Sequence, residues 1–100
     1  MSNEMNKRYN AIIKINTITD LFYQQKNDDG IKLLEKLFED LIGAIEEVYK
    51  IKAIENNKEE LEVQFNLMLT KAMEHLEKND MILFADILNY ELKVFLLEHS

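Results

Sequence analysis

The 100-residue chain has no cysteine and no proline, and only two glycines, Gly30 and Gly43. Without cysteine there can be neither a disulfide framework nor thiol chemistry. Without proline, long helices meet few interruptions, because proline removes a backbone donor and clashes with the preceding turn. Valine and threonine are scarce, whereas leucine, isoleucine, glutamate, lysine and methionine are plentiful. This composition predicts an all-α fold.

Long apolar runs are also missing. The longest are MILFA at 81–85 and VFLL at 94–97, far short of the roughly 20 apolar residues that span a bilayer. The first ten residues are polar and have no apolar core of a secretory signal, so we expect a cytoplasmic protein. The formal net charge of −7 repels phosphate backbones and anionic lipids, which argues against nucleic acid and membrane as partners.

Three polar breaks divide the chain into four helical segments. NDDG at 27–30, ENNK at 55–58 and KND at 78–80 predict helices at about 3–26, 29–54, 58–78 and 80–98. The residues expected to cap the later helices are Asp28 or Asp29, then Asn57, then Asn79 or Asp80. Short connections force neighbouring helices to run antiparallel, so we predict a single domain over 1–100, folded as an up-down-up-down four-helix bundle of two helical hairpins.

No catalytic or metal-binding pattern stands out in the sequence. Di-metal bundles place a histidine three residues after a glutamate on one helix face. Here His75 and His99 directly follow Glu74 and Glu98, and adjacent helical residues point about 100° apart. The only serines are terminal, and no glycine-rich phosphate loop occurs. We therefore expect no enzyme activity, no metal and no cofactor.

The last segment, NDMILFADILNYELKVFLLEHS at 79–100, is apolar around most of its circumference. A helix in a bundle needs one apolar face for its neighbours, and the remaining apolar residues would form an exposed patch, which usually marks an interface. The residues predicted for this interaction surface are Leu83, Tyr90, Leu96 and Leu97. Self-association as a homodimer is the first expectation, and a groove for an apolar helical client is the second. The alternative is that this helix is simply the most buried of the four.

A charged pair is also predicted between the first and last helices. Arg8 is the only arginine, and it lies within the apolar arc of the first helix. Glu91 and Glu98 lie seven residues apart among apolar residues of the last helix. Because these helices should be antiparallel, we predict a buried ion pair between Arg8 and Glu91, or Glu98 if the register shifts by one heptad.

Two stretches resemble known small proteins. EHLEKNDMILFADILNYELKVFL at 74–96 resembles the C-terminal segment of small uncharacterised helical proteins of Firmicutes, and FYQQKNDDGIKLLEKL at 22–37 resembles their first helical hairpin. The resemblance implies the same hairpin architecture and supplies no activity. In general architecture the chain is also similar to flagellar export chaperones, which shield an apolar helix of a client.

The sequence therefore favours a non-enzymatic protein–protein interaction module that uses its apolar C-terminal helix. The competing hypothesis is a helical bundle that binds a small molecule or a metal. A cleft with convergent polar groups would favour the second hypothesis.

Overall fold

The computed structural model describes residues 7–54 and 58–98, and every regular element in these two ranges is helical. The first three helices are α1 (Lys7–Tyr23), α2 (Asn27–Ile54) and α3 (Lys58–Glu77). The fourth helix, α4, consists of an α-helical segment Met81–Ile87, a π-helical turn Leu88–Leu92 and a second α-helical segment Lys93–Glu98. The predicted all-α class and the four-helix count are confirmed for the part of the chain that the structure describes.

Helices α1 and α3 end in the same way. Gln25 and Asn79 have positive φ angles of 63° and 60°. In each case, the next residue donates its N–H to a carbonyl five positions back, Lys26 to Leu21 at 2.8 Å and Asp80 to His75 at 2.9 Å. This is the Schellman arrangement, which satisfies carbonyls that the helix end leaves open. It ends α1 at Tyr23, three residues before the predicted end at 26.

The predicted helix caps are corrected in part. Helix α2 begins at Asn27, and the carbonyl of Lys26 accepts the N–H of Gly30 at 3.1 Å. Asp28 and Asp29 therefore lie inside the first turn. Their negative charges interact favourably with the helix dipole there, but neither residue occupies the cap position. Asp80 does occupy the cap position of α4, although its side chain makes no capping hydrogen bond. Asn57 lies outside the described residues.

Neighbouring helices run antiparallel, as the contacts between them show. Between α1 and α2, Lys14 pairs with Asp40, and Phe22 lies beside Gly30. Between α3 and α4, the rings of Phe65 and Phe95 are 6.1 Å apart. In both pairs, earlier residues of one helix therefore meet later residues of the next. Helices α1 and α4 are also antiparallel, because Tyr23 meets Asp86 and Asn16 meets Lys93, and the three pairs together give the predicted up-down-up-down order.

The bundle is wider than it is deep, with extents of 41 × 31 × 18 Å. Helix α1 packs closely on α2, and α4 packs on both α1 and α3, whereas α2 and α3 meet least closely. The core lies along the inner faces of all four helices, and its largest fully buried side chains are Phe22, Phe84, Ile15, Ile18, Leu37, Leu41, Leu88, Leu92, Leu96 and Val48. The weak contact between α2 and α3 leaves an opening on that side of the bundle.

Candidate interaction surface on the last helix

Three of the four residues predicted for the interaction surface are exposed on α4. Leu83, Tyr90 and Leu97 have 47%, 67% and 54% of their surface accessible. They are spaced by seven residues, so they lie near one line along the helix. Val94, which is 39% exposed, lies one turn after Tyr90. We call Leu83, Tyr90, Val94 and Leu97 the α4 stripe.

Leu96 does not belong to this surface, and its prediction as an exposed interaction residue is wrong. Its side chain is fully buried. It follows the buried Leu92 by four residues, and residues four apart lie above one another on the same helix face. Leu96 therefore points into the core together with Leu92 and is unavailable to a partner.

Much of the apolar surface of α4 is explained by its two neighbours. Because α4 packs against both α1 and α3, its buried face is broad. The buried residues of this helix are Met81, Phe84, Ala85, Ile87, Leu88, Leu92, Phe95 and Leu96. The apolar surface that remains on the outer side consists of the α4 stripe and Ile82, which is 46% exposed.

A π-helical turn interrupts α4 beneath the stripe. It covers Leu88–Leu92 and contains Tyr90 and Glu91. Its defining bond runs from the N–H of Lys93 to the carbonyl of Leu88, five positions back. Single π-helical turns inside α-helices occur frequently at functional sites, and the sequence contains no signal that we can identify for this one.

Glu91 points toward α3 and pairs with Lys71, with 3.0 Å between Glu91 Oε2 and Lys71 Nζ. Both side chains are substantially exposed, at 36% and 53%. The predicted pair with Arg8 is therefore wrong, because Glu91 faces the neighbour on the other side of α4. A pair between exposed groups contributes little stability, since water screens it.

The register between α1 and α4 is a second reason why Glu91 does not pair with Arg8. The Tyr23 hydroxyl donates to Asp86 Oδ1, and Lys93 Nζ donates to Asn16 Oδ1 at 2.9 Å. This antiparallel register places Glu91 roughly ten residues, or about 15 Å, along the bundle from the level of Arg8. The alternative pair of Arg8 with Glu98 stays a prediction.

The seam between α1 and α4 perturbs one titratable group. Burial raises the pKa of Tyr23 to about 12, and the hydrogen bond to Asp86 and the negative charge of that carboxylate act in the same direction. A hydrogen bond from Asn89 lowers the pKa and only partly opposes them. The neutral phenol is therefore the stable form at neutral pH, and it serves as a hydrogen-bond donor that joins the two helices.

The stripe continues onto α3 through two residues that sequence reasoning missed. Val63 and Leu67 are 59% and 66% exposed. The pairs Phe65–Phe95 and Lys71–Glu91 set the α3–α4 register, which places Leu67 level with Val94. The signal in the sequence was their spacing of four residues, outside the buried positions of α3.

A separate apolar cleft lies where α2 and α3 diverge. It has a volume of about 270 Å³ and is lined by Phe38, Leu41, Ile42, Phe65, Leu69 and Met73. We call it the α2–α3 cleft. None of these six side chains carries a polar group that could orient a small polar ligand.

Within residues 7–54 and 58–98, no group of three or more acidic or histidine side chains is arranged to hold a metal ion. His75 lies near Asp80, with 3.8 Å between His75 Nδ1 and Asp80 Oδ2, and this contact spans the turn between α3 and α4. It is a local contact of the helix connection.

Among the helices that the structure describes, none is both long and apolar enough to cross a membrane. No curated protein and no solved structure matches the chain significantly. A family model does match it over residues 9–98 and is described as "Domain of unknown function (DUF8042)". The match covers nearly the whole chain, and the protein therefore belongs to the DUF8042 family.

Proposed function

We propose that this protein is a non-enzymatic protein–protein interaction module that works through the α4 stripe. The observation that carries the proposal is the row of exposed apolar side chains, of which Tyr90 is 67% and Leu97 is 54% exposed. Val63 and Leu67 extend this apolar surface onto α3. An exposed apolar patch of this kind usually marks an interface.

A homodimer in the cytoplasm is the first form of this proposal. Two copies related by a twofold axis bring the same patch together, so each apolar residue contributes twice. Seven-residue spacing also suits a helix-to-helix seam. The second form is an apolar helical client, as in the flagellar export chaperones that the chain resembles in general architecture.

The competing hypothesis is a bundle that binds a small molecule or a metal. The α2–α3 cleft is the one observation in its favour, but its lining is apolar. Small-molecule sites usually combine apolar walls with a few polar groups that fix the orientation of the ligand. Protein–protein contact is therefore the better supported function.

The experiment is light scattering coupled to size exclusion, comparing the wild type with Leu97→Glu. A charged side chain in a twofold seam is desolvated twice, so we expect the dimer Kd to rise at least about tenfold, the equivalent of about 1.4 kcal/mol. The matched control is Ile13→Glu, because Ile13 is similarly exposed, at 45%, but lies on α1. A wild type that stays monomeric at high concentration, with no client recovered from lysate, would refute the proposal.

A further inference from the structure

The α2–α3 cleft lies on a different side of α3 from the α4 stripe and has the form of a groove. Its floor is formed by the buried Leu41 and Phe65. Phe38 and Leu69 stand half-buried on opposite walls. Ile42 is 61% exposed at the rim. Because α2 and α3 are antiparallel neighbours that meet least closely, the groove runs parallel to both helices.

The apolar line on α2 is long enough for several turns of a partner helix. Ile31 is 44% exposed and precedes Phe38 by seven residues, so the two side chains share one helix face. From Ile31 to Ile42 the line extends for about 17 Å, at a rise of about 1.5 Å per residue. A helix of about three turns covers this length and places two or three apolar side chains in the groove.

The charges beside the groove select the partner. On α2, Glu35, Glu39 and Glu46 lie three or four residues from Phe38 or Ile42 and therefore flank them. On α3, Glu62 and Glu77 hold the corresponding positions beside Phe65 and Met73. Two of these carboxylates meet lysines of the same helix, Glu39 with Lys36 and Glu62 with Lys58, at 3.4 and 3.6 Å. The rims nevertheless carry an excess of negative charge.

We propose that the α2–α3 cleft binds an amphipathic helix of a partner protein whose apolar face is flanked by lysine or arginine. Complementary charge on both rims steers such a helix and fixes its orientation. A second copy of this chain that uses the same cleft fits poorly, because the acidic rims of the two copies repel each other. A small ligand fits poorly because the lining offers it no hydrogen bond.

The first test uses three fluorescent peptides of one length in anisotropy titrations with the full chain. The first has leucine at heptad positions a and d and lysine at e and g, the second replaces lysine by glutamate, and the third replaces leucine by glutamine. We expect saturable binding of the first peptide, weakening as salt is added, and at least about tenfold weaker binding of the other two. Equal binding of the lysine and glutamate peptides, or no binding of the lysine peptide, would overturn the proposal.

The second test locates the binding site with Ile42→Gln. This exposed residue lines the groove, so the substitution should leave the fold intact and weaken binding of the lysine peptide about tenfold. The matched control Ile13→Gln, on the outer face of α1, should bind like the wild type. Equal binding by Ile42→Gln and wild type would overturn the proposal. So would dissociation of a homodimer by Ile42→Gln, since the groove would then hold a second copy.

The third test reverses the charge of the rim. Glu35→Lys with Glu46→Lys should transfer the preference from the lysine peptide to the glutamate peptide. Asp20→Lys with Glu74→Lys changes the net charge equally at exposed positions away from the groove and should keep the original preference. An identical response of the two double variants would reject charge selection by the groove. Leu97→Glu, which tests the α4 stripe, should leave peptide binding unchanged, so the two proposals can fail separately.

Discussion

The two glycines lie in the same helix, but Gly30 faces a buried aromatic ring and Gly43 faces a lysine side chain. This difference gives a test of the packing. A Cβ built at Gly30 would lie 2.8, 2.9 and 3.1 Å from three atoms of the Phe22 ring. That ring is fully buried and meets Phe84 edge to face, with 5.7 Å between centroids. A Cβ at Gly43 would approach Lys7 Cδ at 2.9 Å, but a lysine chain can move aside. Alanine should therefore be harmful at Gly30 and beneficial at Gly43.

The magnitudes follow from two opposing effects. Replacing glycine by alanine inside a helix gains up to about 1 kcal/mol from backbone propensity. Overpacking a filled core costs about 1–3 kcal/mol, and the Phe22 ring has no free space to enter. Gly43→Ala should therefore gain about 0.5–1 kcal/mol. Gly30→Ala should be less stable than Gly43→Ala by about 1–3 kcal/mol, since most of the propensity gain cancels in this comparison.

Urea unfolding followed by far-ultraviolet circular dichroism measures both variants directly. In a domain of this size, each 1 kcal/mol corresponds to about 4–8 °C in Tm, so thermal scans should show the same order. Adding Phe22→Leu to Gly30→Ala should cost less than Phe22→Leu alone, because the smaller side chain relieves the contact. If Gly30→Ala were as stable as Gly43→Ala, the reasoning on this contact would be refuted.

Three further predictions concern the helix ends and the polar seams. Gln25→Gly should stabilise the chain by about 1 kcal/mol in urea unfolding, because the positive φ of 63° is costly for an L-residue, whereas the control Gln24→Gly should not stabilise. For Tyr23, whose pKa is raised from 10.0 to about 12, the folded state favours the neutral phenol. Its stabilising contribution is complete below pH 10 and is lost as the pH rises to about 12. The free energy of unfolding of Tyr23→Phe should therefore depend less steeply on pH in that window than that of the wild type. A double-mutant cycle of Lys71→Met and Glu91→Gln should give a coupling energy of about 0.2–1 kcal/mol. A second cycle, of Arg8→Met and Glu91→Gln, should give no coupling energy; the reverse pattern would contradict the structure.

The helices were predictable because their signals are local. The polar breaks at 27–30 and 78–80 are recognised from residues that lie within a few positions of one another. Leu83, Tyr90 and Leu97 were predicted as apolar residues in excess of those that the bundle needs, and all three are exposed.

Sequence reasoning failed where a feature depends on which neighbour a helix face meets. Leu96 was misplaced because the breadth of the buried face of α4 depends on its packing against two helices. Glu91 was assigned to Arg8 because antiparallel order alone does not determine whether a side chain on α4 faces α1 or α3. Lys71, on α3, is its partner. The α2–α3 cleft depends on how far those helices diverge, and no residue pattern within one helix specifies that distance.

Helix α3 separates the two proposed binding surfaces and contributes to both. Phe65, Leu69 and Met73 line the cleft on one side, while Val63 and Leu67 are exposed on another. Since no residue is shared, the cleft and the α4 stripe can be occupied at the same time. Phe65 also meets Phe95 of α4, with 6.1 Å between ring centroids, but both rings are buried in the core, so filling the cleft leaves the exposed residues of the stripe in place. Leu97→Glu should therefore leave peptide binding in the cleft unchanged, and a change in peptide affinity would show that the two surfaces are coupled.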